Sequence, residues 1–266
     1  MNDKLKLYGF NNLTKSLSFN IFDVCYAETQ KEIKEYLEYI DEQYNSERLT
    51  KILCTVSDMI GAHVLSISRQ DYDPQGASVS LLVSETSMLQ NMADSDTEIY
   101  RVAKGNGDML LHLDKSHVTV HTYPEYHPDN NVATFRVDID VATCGKITPL
   151  STLNFLIDSF DSDVITMDYR VRGFTRTVDG RKLFIDHDFT SIQDYINPKT
   201  LDLYKTMDIN IYQANMFHTK MMIKDIDLPN HIFKSNVDKL SEKQKIKIGK
   251  QLEHEMIEIF STKNIF

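Results

Sequence analysis

Two hydrophobic periods divide this chain. Residues 13–26, LTKSLSFNIFDVCY, read as a strand rich in aromatic and apolar residues. Residues 29–45 then place Ile33, Tyr36, Leu37 and Ile40 at the i, i+3, i+4, i+7 spacing of a helix. A second helix is expected over 47–60, with Leu49, Ile52, Leu53, Val56 and Ile60 on one face and Gly61 closing it. From residue 63 the period falls to two. Strands are expected over 63–69, 77–84, 117–123 and 132–141, with DYDPQG as the turn between the first two. In the last of these strands Phe135, Val137, Ile139 and Val141 alternate with Arg136, Asp138 and Asp140. PEYHPDNN reads as a turn or loop, and the polar stretch 85–110 as an exposed excursion.

A further helix is expected from Thr148-Pro149, with Thr148 as N-cap and proline at the first helical position. Strands at about 163–173 and 182–187 are joined through Asp179-Gly180, a hairpin signal. Ser241 and Gln244 form a capping box that opens a last helix, whose apolar face is Ile248, Leu252, Met256 and Ile259. Period-two strands with the helices set apart from them predict an α+β fold. The expected architecture is a layered sandwich, a largely antiparallel sheet with helices packed on its outer faces, in a single domain over 1–266.

Composition narrows the partners. The formal net charge of −10 opposes non-specific nucleic-acid binding. No apolar run has the length of a membrane span, and the opening MNDKLKLYGFNN lacks a signal-peptide core. Cytoplasm is the expected compartment, with neither membrane nor nucleic acid as partner. The three cysteines, Cys25, Cys54 and Cys144, form no CxxC and argue against a disulfide scaffold; Cys25 and Cys54 read as core. The nine glycines contain neither GxGxxG nor GxxxxGK[ST], so no phosphate-cradling loop is expected. His112, His117, His121 and His127 match no HExxH, and strand parity separates the first from the next two, which argues against zinc. The pairs Asp138/Asp140 and Asp161/Asp163 read as solvated strand edges and turns.

Chemistry concentrates in HLDKSHVTVHTYPE, residues 112–125. A serine, Ser116, follows the basic Lys115 at the mouth of a β-branched strand. His121 comes five residues later and Tyr-Pro-Glu after that. Alone, Ser116-His117 is a common pair, His121 an ordinary strand histidine and Cys144 a small buried hydrophobe. The run as a whole resembles the self-cleavage site of S-adenosylmethionine decarboxylases, the pyruvoyl enzymes of polyamine synthesis. YGFNNLTKSLSFNIFDVCYA, RQDYDPQGASV, VATCGKITPLSTLNFLI, DYRVRGFTR and YQANMFHTKM also look like the longer bacterial (Escherichia-type) subgroup of that family. The resemblance covers nearly the whole chain and is loosest over 85–110.

The resemblance implies a proenzyme that cuts itself between Lys115 and Ser116 into a β chain, 1–115, and an α chain, 116–266. In that chemistry the serine hydroxyl attacks the preceding carbonyl and an ester replaces the peptide bond. A base removes the serine α-proton, and β-elimination frees the new carboxyl end at Lys115. The remaining dehydroalanine hydrolyses to pyruvoyl and ammonia. By the same resemblance, Ser116 becomes the pyruvoyl group that forms a Schiff base with substrate. His121 is the proton acceptor for processing and Ser78 assists it. Cys144 returns a proton to the substrate α-carbon. Glu125 grips the ribose hydroxyls, and Tyr72 stands where a smaller relative places an adenine-stacking aromatic. The implied substrate is S-adenosylmethionine and the product the aminopropyl donor for spermidine. The subgroup is associated with Mg2+ activation, for which the sequence assigns no ligands. The αβ units are expected to assemble into homo-oligomers.

The residues themselves leave other readings open. A pyruvoyl enzyme of this build that acts on arginine or ornithine is one, since the electron sink does not dictate the side chain. A non-catalytic regulatory relative is another, but it is expected to lack Ser116, His121 or Cys144. One geometrical difficulty stands out. Odd spacing on a regular strand puts Ser116 and His121 on opposite faces, so the strand must bend or the serine must lie outside it.

Overall fold

The computed structural model describes residues 13–85, 116–145, 147–234 and 237–265. Past Glu85, the expected excursion to residue 110 lies outside the described residues, as do His112 and Lys115. In chain order the elements are β1 (Thr14–Tyr26), α1 (Gln30–Gln43), α2 (Ser46–Met59), β2 (Ala62–Asp71), β3 (Ala77–Glu85), β4 (Ser116–Tyr126), β5 (Val132–Cys144), α3 (Leu153–Ser159), β6 (Val164–Arg172), β7 (Thr175–Arg176), β8 (Lys182–Leu183), α4 (Pro198–Leu203), β9 (Tyr204–Asp208), β10 (Met216–Ile223), α5 (Leu228–His231) and α6 (Glu242–Ser261).

Local chemistry sets the helix ends. Thr29 and Glu32 form a reciprocal capping box at the start of α1, and Asn45 accepts the Arg48 N–H at the start of α2. Gly61 follows α2 at a φ of +70°, where a side chain would be strained. Ser241 and Gln244 cap α6 in the expected way. Each long helix buries the stripe its periodicity predicts, such as Ile33, Tyr36, Leu37 and Ile40 in α1.

Among the described residues, eight strands form one antiparallel sheet in the order β2-β3-β4-β5-β1-β6-β10-β9. Its first face carries Leu17, Phe19, Ile21, Val118, Val120, Val137, Ile139 and Val141, which share the main core with α1, α2 and α3. Among the described residues, its second face is covered only at one end. There Val24, Val132, Val164 and Met222 pack beneath Ile248, Leu252 and Met256 of α6. The rest of that face is polar, in cross-strand rows such as Ser78, His121, Asp138, Asn20, Thr166 and Lys220. The α+β layered fold with helices on the outer faces is therefore the observed one.

Four local expectations need correction. Pro124 and Glu125 belong to β4, not to a turn, because β5 still pairs with them after β3 has ended at Ser78↔His121. Proline is tolerated there since its missing N–H faces no strand. Thr148 is extended ahead of Pro149, but its side chain makes no capping bond, and the first turn, Pro149–Thr152, is a 3-10 turn. The 182–187 strand shrinks to Lys182–Leu183, which pairs with Thr175–Arg176 in a separate ribbon around Gly180. Asp163 is not solvated. It is 6% exposed, accepts the Val24 N–H at 2.7 Å and meets His231 Nε2 at 2.9 Å.

The 72–76 turn between β2 and β3 is tightly seated. Gly76 has a φ of +96°, and a Cβ there would stand 2.8 Å from the Thr122 carbonyl oxygen. Its N–H donates to Asp41 and the Gln75 amide donates to Pro124 O, each at 2.7 Å. Gly76→Ala is expected to cost about 2 kcal/mol or more, from left-handed strain plus the clash. A chemical denaturation midpoint equal to wild type would show that the turn is not so constrained.

Candidate active site

β4 includes Ser116 and leaves the parity problem standing: the strand neither bends nor excludes the serine. Ser116 lies on the core-facing side with Val118 and Val120 and is 0% exposed. Its Oγ accepts the Cys144 backbone N–H at 3.2 Å. Cys144 is the last residue of β5, half-buried, with its Sγ 4.0 Å from Thr14 Oγ1. Ser116 and Cys144 are thus brought together at one end of the sheet, because β4 begins where the antiparallel β5 finishes.

His121 is on the opposite, polar face. Five residues at about 3.4 Å each put it about 17 Å along β4 from Ser116. Ser78 sits directly across from it on β3, and the Tyr72 hydroxyl is 2.8 Å from Ser78 Oγ. The Tyr72 ring is 44% exposed. On the other side His121 faces Asp138 of β5, whose carboxylate is held by Arg136; the Arg136 guanidinium also stacks 4.9 Å from the Tyr123 ring centre. Glu125 continues along the same face of β4 towards α6, where burial and the Glu125 charge raise the pKa of Glu255. The predicted residues therefore form two groups. Ser116 and Cys144 make one; Tyr72, Ser78, His121 and Glu125 make the other. Lys115 lies outside the described residues.

The sequence motifs pass over Lys15. It is 1% exposed, and its ammonium donates to the Gly145 carbonyl at 2.9 Å and to the Asp186 carboxylate at 2.8 Å. A signal for it exists: in the alternation Lys15, Leu17, Phe19, Ile21 it holds a core-parity position.

A cavity of about 970 Å3 is at the other end of the sheet from Ser116. Its lining includes Asp23, Asp161, Asp163, Tyr36, Tyr204 and His231. Burial, followed by the Asp163 charge, lifts the Asp23 carboxyl to about 7. Burial works against protonating His231, but its hydrogen bond and charge pairing with Asp163 win and raise it to about 9. These groups satisfy one another within the fold. Among the described residues no group of three or more His, Cys, Asp or Glu is arranged to hold a metal ion. Nor is any described helix long and apolar enough to cross a membrane.

Comparison with known proteins bears on both groups of residues. The family model described as S-adenosylmethionine decarboxylase matches residues 33–173, which include Tyr72, Ser78, Ser116, His121, Glu125 and Cys144. The S-adenosylmethionine decarboxylase proenzyme of Clostridium beijerinckii is 63% identical over 273 residues, covering 100% of this chain and 99% of that protein. The like-named proenzyme of Alkaliphilus oremlandii is 62% identical, with 99% and 98% covered. That of Chromohalobacter salexigens is 58% identical, with both covered in full at 100%. The crystal structure of the adenosylmethionine decarboxylase from Aquifex aeolicus aligns at 15% identity and a TM-score of 0.32, over 61% of this chain and 90% of that one, too loosely to bear on the fold. A family model spanning more than half the chain and full-length relatives near 60% identity agree with the self-cleavage motif, and the chain belongs to the S-adenosylmethionine decarboxylase family.

Proposed function

We infer that this chain is a proenzyme that cleaves itself before Ser116 and then decarboxylates S-adenosylmethionine, with the new pyruvoyl end as its cofactor. The observation that carries this reading is the buried contact of Ser116 Oγ with the Cys144 N–H, which joins the cleavage residue to the proton donor named by the motif. The arginine, ornithine and regulatory alternatives are not favoured. The relatives from Clostridium beijerinckii, Alkaliphilus oremlandii and Chromohalobacter salexigens carry the S-adenosylmethionine name, and Ser116, His121 and Cys144 are all present.

The residues suit the self-cleavage chemistry. The Cys144 N–H points at the oxygen that must lose its proton, and so stabilises charge as it develops there. Full burial of Ser116 keeps bulk water from the ester, which favours elimination over simple hydrolysis. A pyruvoyl group supplies the electron sink that decarboxylation requires. The Cys144 side chain follows strand parity to the polar face, where it is open to a ligand and placed to deliver a proton.

The base is the step that one copy does not complete. Proton transfer needs a heavy-atom approach of about 3 Å, or one bridging water. His121 is about 17 Å from Ser116 in its own chain, on the other side of the sheet. Our reading is that a second copy completes the site. The polar faces pack against each other about a two-fold axis, so that Ser78, His121, Tyr72 and Glu125 of one protomer meet Cys144 of the other on that face and reach its Ser116 α-carbon from the side opposite the buried hydroxyl. Support comes from the second face itself, which is polar along its cross-strand rows and, among the described residues, covered only at one end by α6. In this arrangement Tyr72 offers an exposed ring to the adenine and Glu125 a carboxylate to the ribose. The site would lie in a soluble cytoplasmic enzyme whose single domain, 1–266, is retained after cleavage.

The test is Cys144→Ala. Self-cleavage is expected to proceed, since the backbone N–H remains, while sustained turnover falls by about 10²-fold or more, the usual worth of a positioned proton donor. Intact-mass spectrometry and a carbon dioxide release assay read the two steps separately. Full turnover in this variant would remove Cys144 from the donor role.

A further inference from the structure

An ion pair lies beneath the Cys144 turn. Lys15 and Asp186 both lie outside residues 33–173, the segment the family model matches. Across the core-facing side of the sheet, Ser116 pairs with Val83 on β3, and Lys15 stands between Thr143 on β5 and Val171 on β6. Because His117 pairs with Ala142, Ser116 comes beside Thr143, so Ser116, Thr143 and Lys15 share one row and one face. The next residues of that parity on β1 are Leu17, Phe19 and Ile21. An ammonium in such company is expensive unless its donors are met.

They are met by the site. Lys15 Nζ donates to Gly145 O and to Asp186 Oδ2. The other Asp186 oxygen is 2.8 Å from His187 Nδ1, and His187 Nε2 is 3.3 Å from the Tyr169 hydroxyl. Burial holds the Tyr169 phenol above its usual range. Gly145 directly follows Cys144. Its own N–H donates to Leu13 O at 3.0 Å, and its φ is +72°. The turn that aims the Cys144 N–H at Ser116 and its thiol at the polar face is thus tied to Leu13, just ahead of β1, by a backbone bond and to Lys15 of β1 by the buried charge.

We propose that Lys15 and Asp186 are positioning residues for both self-cleavage and decarboxylation, holding the Thr143–Gly145 turn through the Gly145 carbonyl. The proposal rests on the roles given to Ser116 and Cys144 above. Lys15 touches neither reacting group; it acts through the turn.

The experiment uses the full chain with Lys15→Met, Lys15→Arg and Asp186→Asn. It reads the self-cleavage rate by intact mass, kcat and KM of the processed enzyme, and the iodoacetamide alkylation rate of Cys144 by peptide mass spectrometry, with Cys54 as internal reference. Lys15→Met is expected to slow self-cleavage and lower kcat by about 10²-fold each, as ångström-scale misplacement does. KM should stay within about twofold. Cys144 alkylation should quicken while that of Cys54 does not, a split that a general loss of stability would not produce. Lys15→Arg, which keeps a charged donor, should recover part of kcat. If Lys15→Met does not fold, Asp186→Asn carries the test with the same pattern at about tenfold. Wild-type rates and alkylation in the folded variant would overturn the proposal. An inactive Cys144→Ala beside a fully active Lys15→Met would fell the positioning role alone; an active Cys144→Ala would fell the assignment beneath it.

Discussion

Ser116→Ala is expected to give one uncleaved chain of 266 residues with no measurable decarboxylation. The variant removes the only oxygen that the motif places next to the scissile bond, and with it the source of the cofactor. Nothing else in the fold should change. Ser116 is a small buried side chain whose described hydrogen bond is one accepted from a backbone N–H. Leaving that N–H unmet costs about 1–3 kcal/mol, which an ordinary domain survives. The loss of activity should instead be at least about 10⁶-fold, because the electron sink supplies the bulk of the rate enhancement. Mass spectrometry separates the cases. Wild type should show two chains divided at Lys115/Ser116, the second lighter by one ammonia than a chain that begins with serine. Ser116→Ala should show one chain. Cleavage of that variant at the same bond would mean that another nucleophile does the work, and the pyruvoyl reading would fall with it.

How much of this was legible beforehand depended on the range of the interaction. Capping and periodicity are local, so α1, α2 and α6 are found where Thr29, Asn45 and Ser241 put them. Alternation likewise exposed β3 and β5. What failed involved partners distant in sequence. Pro124 looks like a turn until β5 supplies a neighbour on one side only. Asp163 looks solvated until His231, sixty-eight residues on, closes over it. β9 and β10 were not picked out, because Tyr204–Asp208 and Met216–Ile223 carry weak alternation and depend on the sheet for their definition.

The site divides in the same way. Its residue types were readable from the HTYPE and TCG contexts, yet strand parity alone already said that Ser116 and His121 could not meet on a regular strand. The structure keeps the strand regular, so the conflict had to be answered outside the chain rather than by a local kink. Lys15 shows the opposite failure. Its parity was visible in β1, but a single charge among apolar neighbours gives no hint of Asp186, which arrives from 171 residues away.

His121→Ala carries the largest consequence for the assembly. On its own it should halt at the ester, since the hydroxyl can still attack but no base takes the serine α-proton; the slowing expected is about 10²–10⁴-fold. Hydroxylamine cleaves an ester and not a peptide bond, so it should release the two fragments from this variant and leave Ser116→Ala untouched. The informative step is to co-express the two variants with different tags and isolate the hybrid. A Ser116→Ala protomer retains His121, and a His121→Ala protomer retains Ser116. If the base acts across a two-fold interface, the hybrid holds one complete site, and its His121→Ala chain should be cut without hydroxylamine. If the base acts within one chain, each defect stays private and that chain remains stalled in the hybrid as it does alone. Such a result would send the explanation back to a rearrangement of β4 that carries His121 to Ser116 within the monomer, at the cost of its pairing with both β3 and β5. Cleavage in the hybrid would instead make the polar face of the sheet the place where two copies build their active sites from each other.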